Sequence, residues 1–124
     1  MTENCPFCSN VDLIQYSNDS AISIFDKYPI TKHHSLIIPK RHEISFFNLD
    51  EKEQQDCIAL VNQVKSQLCN MDETITGFNL GINDGTDAGQ SILHCHIHLI
   101  PRRKNDVVEP QGGIRNIIPG KGKY

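Results

Sequence analysis

The chain has no apolar run of about 18 residues, so nothing in it reads as a membrane span. No charged-then-apolar leader follows Met1, which argues against secretion. Its five cysteines are an odd number, and the pair Cys5-x-x-Cys8 has no second Cys-x-x-Cys to match it. A disulfide framework and a four-cysteine metal site are both disfavoured. Six histidines accompany the thiols. That mixture suits metal ligation in a reducing, cytoplasmic setting. Positive charge is not in excess either: 12 Lys and Arg against 15 Asp and Glu give a net charge of −3. General nucleic-acid binding is therefore not expected. Internal repeats and low-complexity stretches are missing. With 124 residues, the chain is long enough for one domain with one core.

What charge there is lies unevenly. Residues 102–124 hold six basic and two acidic side chains, a balance of +4, which leaves −7 for residues 1–101. A basic, Gly- and Pro-rich tail on an acidic body suits either a solvated end or a segment that attracts polyphosphate or docks on a partner. Ile114 and the pair Ile117-Ile118 favour docking, and Arg115 or Lys121 would then be placed to hold distal phosphates. The expected division is a domain over 1–104 and a tail over 105–124 that docks on a dimer.

The pattern predicts an α+β fold. Residues 13–16 and 21–25 flank the polar cluster Ser17-Asn18-Asp19-Ser20 and read as a hairpin. Residues 35–38 form an apolar run stopped by Pro39. Asp50 with Glu53 is a capping-box start, and Cys57, Val61, Val64 and Leu68 then fall at helical spacing, giving one main helix over about 50–69. Residues 78–82 and 94–100 supply two more strands, with a functional loop opening at Asn83-Asp84-Gly85 between them. The sum is an antiparallel sheet of about five strands with the helix on one face.

The most informative stretch is His94-Cys95-His96-Ile97-His98-Leu99-Ile100. Imidazole and apolar side chain alternate with the period of a strand. Cys95, Ile97 and Leu99 then enter the core and three histidines line the other face, spanning about 13 Å. One metal ion cannot take all three, because a Zn–N bond reaches only about 2 Å. Chelation by two of them, nucleophilic catalysis by a neutral imidazole and a merely polar strand face all remain open.

This row follows Gly89-Gln90-Ser91 and Ile82-Asn83-Asp84-Gly85, and upstream lies His34-Ser35-Leu36-Ile37-Ile38-Pro39-Lys40-Arg41-His42. In order and spacing these segments resemble the histidine triad (HIT) superfamily, from Cys5 to about Arg103. The resemblance implies a HIT-like fold, a two-fold homodimer with sheets continuing across the interface, and a nucleotide hydrolase or transferase acting at the α-phosphate. His96 matches the nucleophile and His98 the third triad histidine that touches phosphate oxygen. Ser91 matches the serine that hydrogen-bonds the leaving group. Gln90 and Asn83 match phosphate contacts, and His34 the histidine beside the triad. Asp26 corresponds to the carboxylate on the ribose hydroxyls, with Phe7 and Ile24 as walls for a base, adenine by expectation. The resemblance also completes the metal set: Cys5, Cys8, His42 and His94 would close around a structural zinc. A thioredoxin-like redox role for Cys5 and Cys8 is the weaker alternative, since no βαβ context surrounds them.

Two cues on substrate pull apart. Gly89-Gln90-Ser91 resembles the phosphoramidase branch; Ile100-Pro101-Arg102-Arg103-Lys104 resembles dinucleoside-polyphosphate hydrolases. Two other readings stand beside hydrolysis. One is a nucleotide-binding regulatory module with incidental turnover; the other is a metalloenzyme with its ion on His96 and His98.

Overall fold

A computed structural model describes residues 4–9 and 13–124. The leader reading at Met1 lies outside the described residues. Elements run α1 (Pro6–Ser9), β1 (Tyr16–Ser17), β2 (Ala21–Phe25), β3 (Ser35–Pro39), α2 (Glu51–Met71), β4 (Ile75–Gly81) and β5 (Ile97–Arg103). The strands form one antiparallel five-stranded sheet in the order β1-β2-β3-β5-β4. Among the described residues no helix is long and apolar enough to cross a membrane.

α2 begins at the predicted capping box. Asp50 accepts from the Glu53 amide at 2.8 Å, and Glu53 accepts from the Asp50 amide at 3.0 Å. Such a cap is worth about 1 kcal/mol. The helix buries Cys57, Leu60, Val61, Val64 and Leu68 against one face of the sheet, where Ile37, Cys95, Ile97 and Leu99 meet them. Each fully buried side chain of this size contributes roughly 1.5–3 kcal/mol. Burial pushes the Cys57 thiol up to about 11 and the Cys95 thiol up to about 12, so both stay protonated as core residues.

The other sheet face is the one that Leu36 and His98 share. Ile22, Leu36 and Ile38 form a second apolar cluster there, covered by Phe7 from α1 and flanked by Ile24. With α2 on one side and this cluster on the other, β3, the central strand, is buried along its whole length. Cys5-Pro6-Phe7-Cys8, expected as a tight loop, instead leads from Cys5 into the short helix α1, whose Phe7 packs on this face. Element ends differ modestly from expectation: the first strand is only Tyr16–Ser17, α2 runs on to Met71, and β4 starts at Ile75.

Candidate active site and metal centre

β5 does not include the whole histidine row. It starts at Ile97, so only His98 belongs to the strand and the expected strand over 94–100 is displaced towards the C-terminus. Cys95 instead hydrogen-bonds through its amide to the Glu43 carbonyl at 2.7 Å. The period-two burial of Cys95, Ile97 and Leu99 holds nonetheless. His94 is fully buried and His96 nearly so. The His96 and His98 rings remain neighbours, with centroids 5.2 Å apart. Across the sheet, His98 sits between Leu36 of β3 and Gly81 of β4, and the missing side chain at Gly81 leaves open space.

Backbone groups set the tautomer of each buried ring. His96 donates Nδ1–H to the His94 carbonyl at 2.8 Å, so its Nε2 carries a lone pair. His94 donates Nε2–H to the Pro39 carbonyl at 2.8 Å, which leaves the lone pair on Nδ1. His34 accepts the Ile30 amide at Nδ1, 3.2 Å away, and therefore holds its proton on Nε2. That proton points at His98 Nδ1, 3.0 Å distant, and His98 in turn presents Nε2–H. His34 is placed by a tight turn in which His33 takes the left-handed region at φ 72°. Asp26 lies 3.5 Å from His34 Nε2. Burial, then the neighbouring His96 and His34, push His98 down to about 4, and Asp26 opposes them. Burial also lowers His34 and His94. These three rings are thus held neutral.

Cys5, Cys8, His42 and His94 bring four donor atoms within 4.8 Å of one another. His94 Nδ1 is 3.4 Å from each sulfur, and Cys8 Sγ is 3.3 Å from His42 Nδ1. A tetrahedral zinc with the usual bond lengths places nitrogen and sulfur about 3.5 Å apart. The Pro39 carbonyl on the far nitrogen of His94 is the outer support that metal-bound imidazoles have. The four residues therefore fit a metal ion. Arg41 holds the chain next to His42 by a fork onto Glu53, at 3.0 and 2.9 Å. Asp26, His34 and His98 form a second cluster of similar compactness. It fits a metal poorly, because the Ile30 amide occupies Nδ1 of His34 and fixes a proton on the nitrogen that would have to coordinate. His96 and His98 form no such cluster together among the described residues.

Phe7 sits between the two cysteines and sets its ring edge-on to His96 at 5.1 Å and to His94 at 5.9 Å. The loop that carries Asn83 and Ser91 is stitched to the segment after His42. Asp84 accepts from Ser45 Oγ at 2.9 Å and from the Phe46 amide at 2.8 Å. Gln90 accepts the Gly85 amide and donates to the Ile44 and Ile92 carbonyls, all within 3.1 Å. Gln90 is buried with its amide spent on these partners, so the structure places it in the loop's scaffold and not in the pocket. The scaffold role of Asp84 was missed in sequence. Its only signal there was Asn-Asp-Gly, which reads as a turn.

A cavity of about 620 Å³ opens over this face. Phe7, Asp26, His34, Asn83, Ser91, His96 and His98 all line it, as does Leu36. The tail contributes Ile114 and Ile117 to the same cavity, from a 3-10 turn over Gly113–Ile117. The tail is therefore ordered against its own protomer's site. Arg115 and Lys121, expected to hold phosphates, are not among the lining residues. Arg115 donates to the Lys121 carbonyl at 2.9 Å and stacks over Tyr124 at 4.9 Å.

A small α+β domain with paired imidazoles over a nucleotide-sized cavity defines a class of site, and the comparisons supply the family. The model of the HIT domain matches residues 9–105, and the chain belongs to this histidine triad family. A relative from Arabidopsis thaliana, named adenylylsulfatase HINT3, is 34% identical over 123 residues, spanning 93% of this chain and 60% of its own length. A zinc-bound histidine triad family protein from Mycobacterium smegmatis superposes with a TM-score of 0.71 at 26% identity, covering 88% of this chain and 82% of that one. The diadenosine triphosphate hydrolase of Plasmodium falciparum, solved with cyclomarin A, gives 0.71 at 29% identity over 77% of this chain and 65% of its own.

Proposed function

We propose that the protein is a nucleotide hydrolase that cleaves at the α-phosphate through a covalent nucleotidyl-His96. One observation carries the reading. The His94 carbonyl holds the Nδ1 proton of His96, which frees Nε2 as a nucleophile on the wall of the cavity. In the first step Nε2 bonds to phosphorus, the bond from phosphorus to the leaving group breaks, and the leaving atom takes up a proton from solvent. In the second, water attacks the same phosphorus, the P–N bond to His96 breaks, and the proton released from water restores the balance. The products are a nucleoside monophosphate and the protonated leaving group. His98, held neutral with Nε2–H outward, donates to a phosphate oxygen. Asn83 does the same. Ser91 hydrogen-bonds the leaving atom, and His34 fixes the His98 tautomer. Asp26 takes the ribose hydroxyls and Phe7 covers the base. Gln90 acts by holding the loop.

The substrate is an adenine nucleotide with a group to lose from its α-phosphate, either a phosphoramidate or a dinucleoside polyphosphate. The names of the plant relative and of the Plasmodium enzyme support an adenylyl group. Zinc on Cys5, Cys8, His42 and His94 is structural, because four protein ligands leave no position for water. The protein works in the cytoplasm as a homodimer; the unpaired edge of β4 suits sheet continuation. Incubation with a panel of adenine nucleotides, followed by a denaturing alkaline quench, intact mass and peptide mapping, tests the reading. One adenylyl group on the peptide bearing His96 is the expected result. Turnover with no adduct in wild type, and undiminished turnover in His96→Ala, would overturn it.

A further inference from the structure

The last residue of β5 reaches over the turn that precedes His34. β3 and β5 pair only from Ser35 with Leu99 to Ile37 with Ile97. Past Leu99 the strand is tied instead to the turn between β2 and β3. Thr31 donates its hydroxyl to the Pro101 carbonyl at 2.8 Å, and Arg103 donates to the Lys32 carbonyl at 3.0 Å. The same guanidinium donates to Asp72 at 2.9 Å and to the Thr74 hydroxyl at 3.0 Å. We infer that Arg103 is a positioning residue for the His34–His98 pair, acting through the Lys32 carbonyl and the strained backbone at His33. Its effect on rate rests on the hydrolase reading above; its effect on the His98 tautomer does not.

His33 stands at φ 72°, a region that residues other than glycine disfavour. Such backbone persists only where its surroundings over-determine it. Here Arg103 holds the peptide before His33, and the His33 carbonyl accepts from Ser35 Oγ at 2.9 Å. The His33 ring lies against Phe25, with centroids 5.6 Å apart, and its Nε2 is 3.8 Å from Asp72. Asp72 is itself fixed. It is the C-cap residue of α2, and it accepts from the Thr74 amide at 3.0 Å as well as from Arg103. Thr74, then Arg103, hold its carboxyl well below the ordinary range. Arg103 thus fastens the strained turn to the end of α2.

What the turn delivers is the next residue. Rotation of His33 to negative φ would swing His34 and break the contact that sets its Nε2–H 3.0 Å from His98 Nδ1. His98 would then be free to carry its proton on either nitrogen, and only the Nε2–H form presents a donor to the cavity. The planar fork of arginine suits this task, because it meets three acceptors on three different segments at once. Arg103 belongs to the basic run that resembles polyphosphate hydrolases, yet its Nε and Nη2 donors are committed before any phosphate arrives.

The test uses the full chain, with nitrogen-15 in its histidine rings, read by NMR at neutral pH without nucleotide. Wild type should show the His98 proton on Nε2 alone, and Arg103→Ala should show a mixture of the two tautomers. In turnover of diadenosine triphosphate and adenosine 5′-phosphoramidate, Arg103→Ala should lower kcat by roughly tenfold to a hundredfold, the scale of a misplacement of about 1 Å, with KM nearly unchanged. Glycine adopts positive φ freely, so the same substitution should cost several-fold less in a His33→Gly background. Arg103→Lys, which keeps the charge without the fork, carries the same measurements if Arg103→Ala does not fold. An unchanged His98 tautomer in a folded Arg103 variant overturns the positioning role. So does an equal loss of kcat in the two backgrounds. A raised KM for diadenosine triphosphate alone, at unchanged kcat, also overturns it by giving Arg103 to phosphate. No turnover by wild type, with the tautomer shift present in the variant, sinks the hydrolase reading and leaves the positioning role standing.

Discussion

His94 and His96 are joined by a single hydrogen bond, from His96 Nδ1–H to the His94 carbonyl at 2.8 Å, while the His94 ring itself turns away into the cysteine cluster. One residue thus ends the metal site and orients the ring beside it. Replacing His96 by Ala or Asn should lower turnover by about a thousandfold or more, with nucleotide affinity retained, because the covalent step is lost and the other contacts are not. Single-turnover kinetics with parallel calorimetry measures both. A variant keeping about a tenth of the wild-type rate would remove His96 from the chemistry.

The shared residue extends the consequences of metal loss. Purified, reduced protein should carry one zinc per chain by elemental analysis, and Cys5→Ser or Cys8→Ser should lose it and melt at lower temperature. Phe7 lies between those cysteines and touches the His96 ring at 5.1 Å. Nucleotide affinity should therefore fall with zinc occupancy, whereas the far-side Cys57→Ala should leave occupancy intact. Thiol titration alongside separates metal loss from oxidation. Full zinc content in both serine variants would dismiss the four-residue site.

The Gln90 side chain, matched by motif to a phosphate contact, is spent on backbone groups. Its three hydrogen bonds join Gly85, Ile44 and Ile92. Gln90→Ala leaves buried partners unsatisfied and should cost about 2–3 kcal/mol by urea denaturation. A variant of unchanged stability with a raised KM would instead put this side chain on the phosphate.

Local patterns carried much of the fold into the sequence. The Asp50–Glu53 box and the Cys57, Val61, Val64, Leu68 stripe gave α2 because caps and helical periodicity are short-range properties. Cys95, Ile97 and Leu99 alternated as expected. What failed was the inference from alternation to one continuous strand: the Cys95 amide pairs with Glu43, 52 positions upstream, and no local pattern reports that. The metal set needed a likeness to known proteins, since Cys5 and His94 are brought together only by the sheet. Ile114 and Ile117 looked odd in a basic tail, and that oddity was the one legible sign that the tail docks. Which surface it meets depends on Asn79 and Ile100, far away in sequence.

The His98–His34 pair makes a prediction about acid. His98 is pushed from 6.5 down to about 4 in the folded chain, chiefly by burial. Below pH 6.5 the unfolded chain binds a proton at this ring that the native chain refuses until about pH 4. The unfolded state is then the greater proton binder, so stability rises with pH across this window and is lost as pH falls through it. His34, lowered by the same cause, acts in the same direction. Urea denaturation between pH 7 and pH 4.5 should show wild type losing stability more steeply than His98→Gln, in which one of the two refusing rings is gone. Acid release of zinc is common to both proteins and cancels in the difference. Parallel curves for the two would mean that His98 titrates normally in the native chain. The neutral Nε2–H donor assigned to it would then be replaced by an imidazolium below pH 6.5, and the His34 proton aimed at its Nδ1 would have to turn to Asp26, 3.5 Å away.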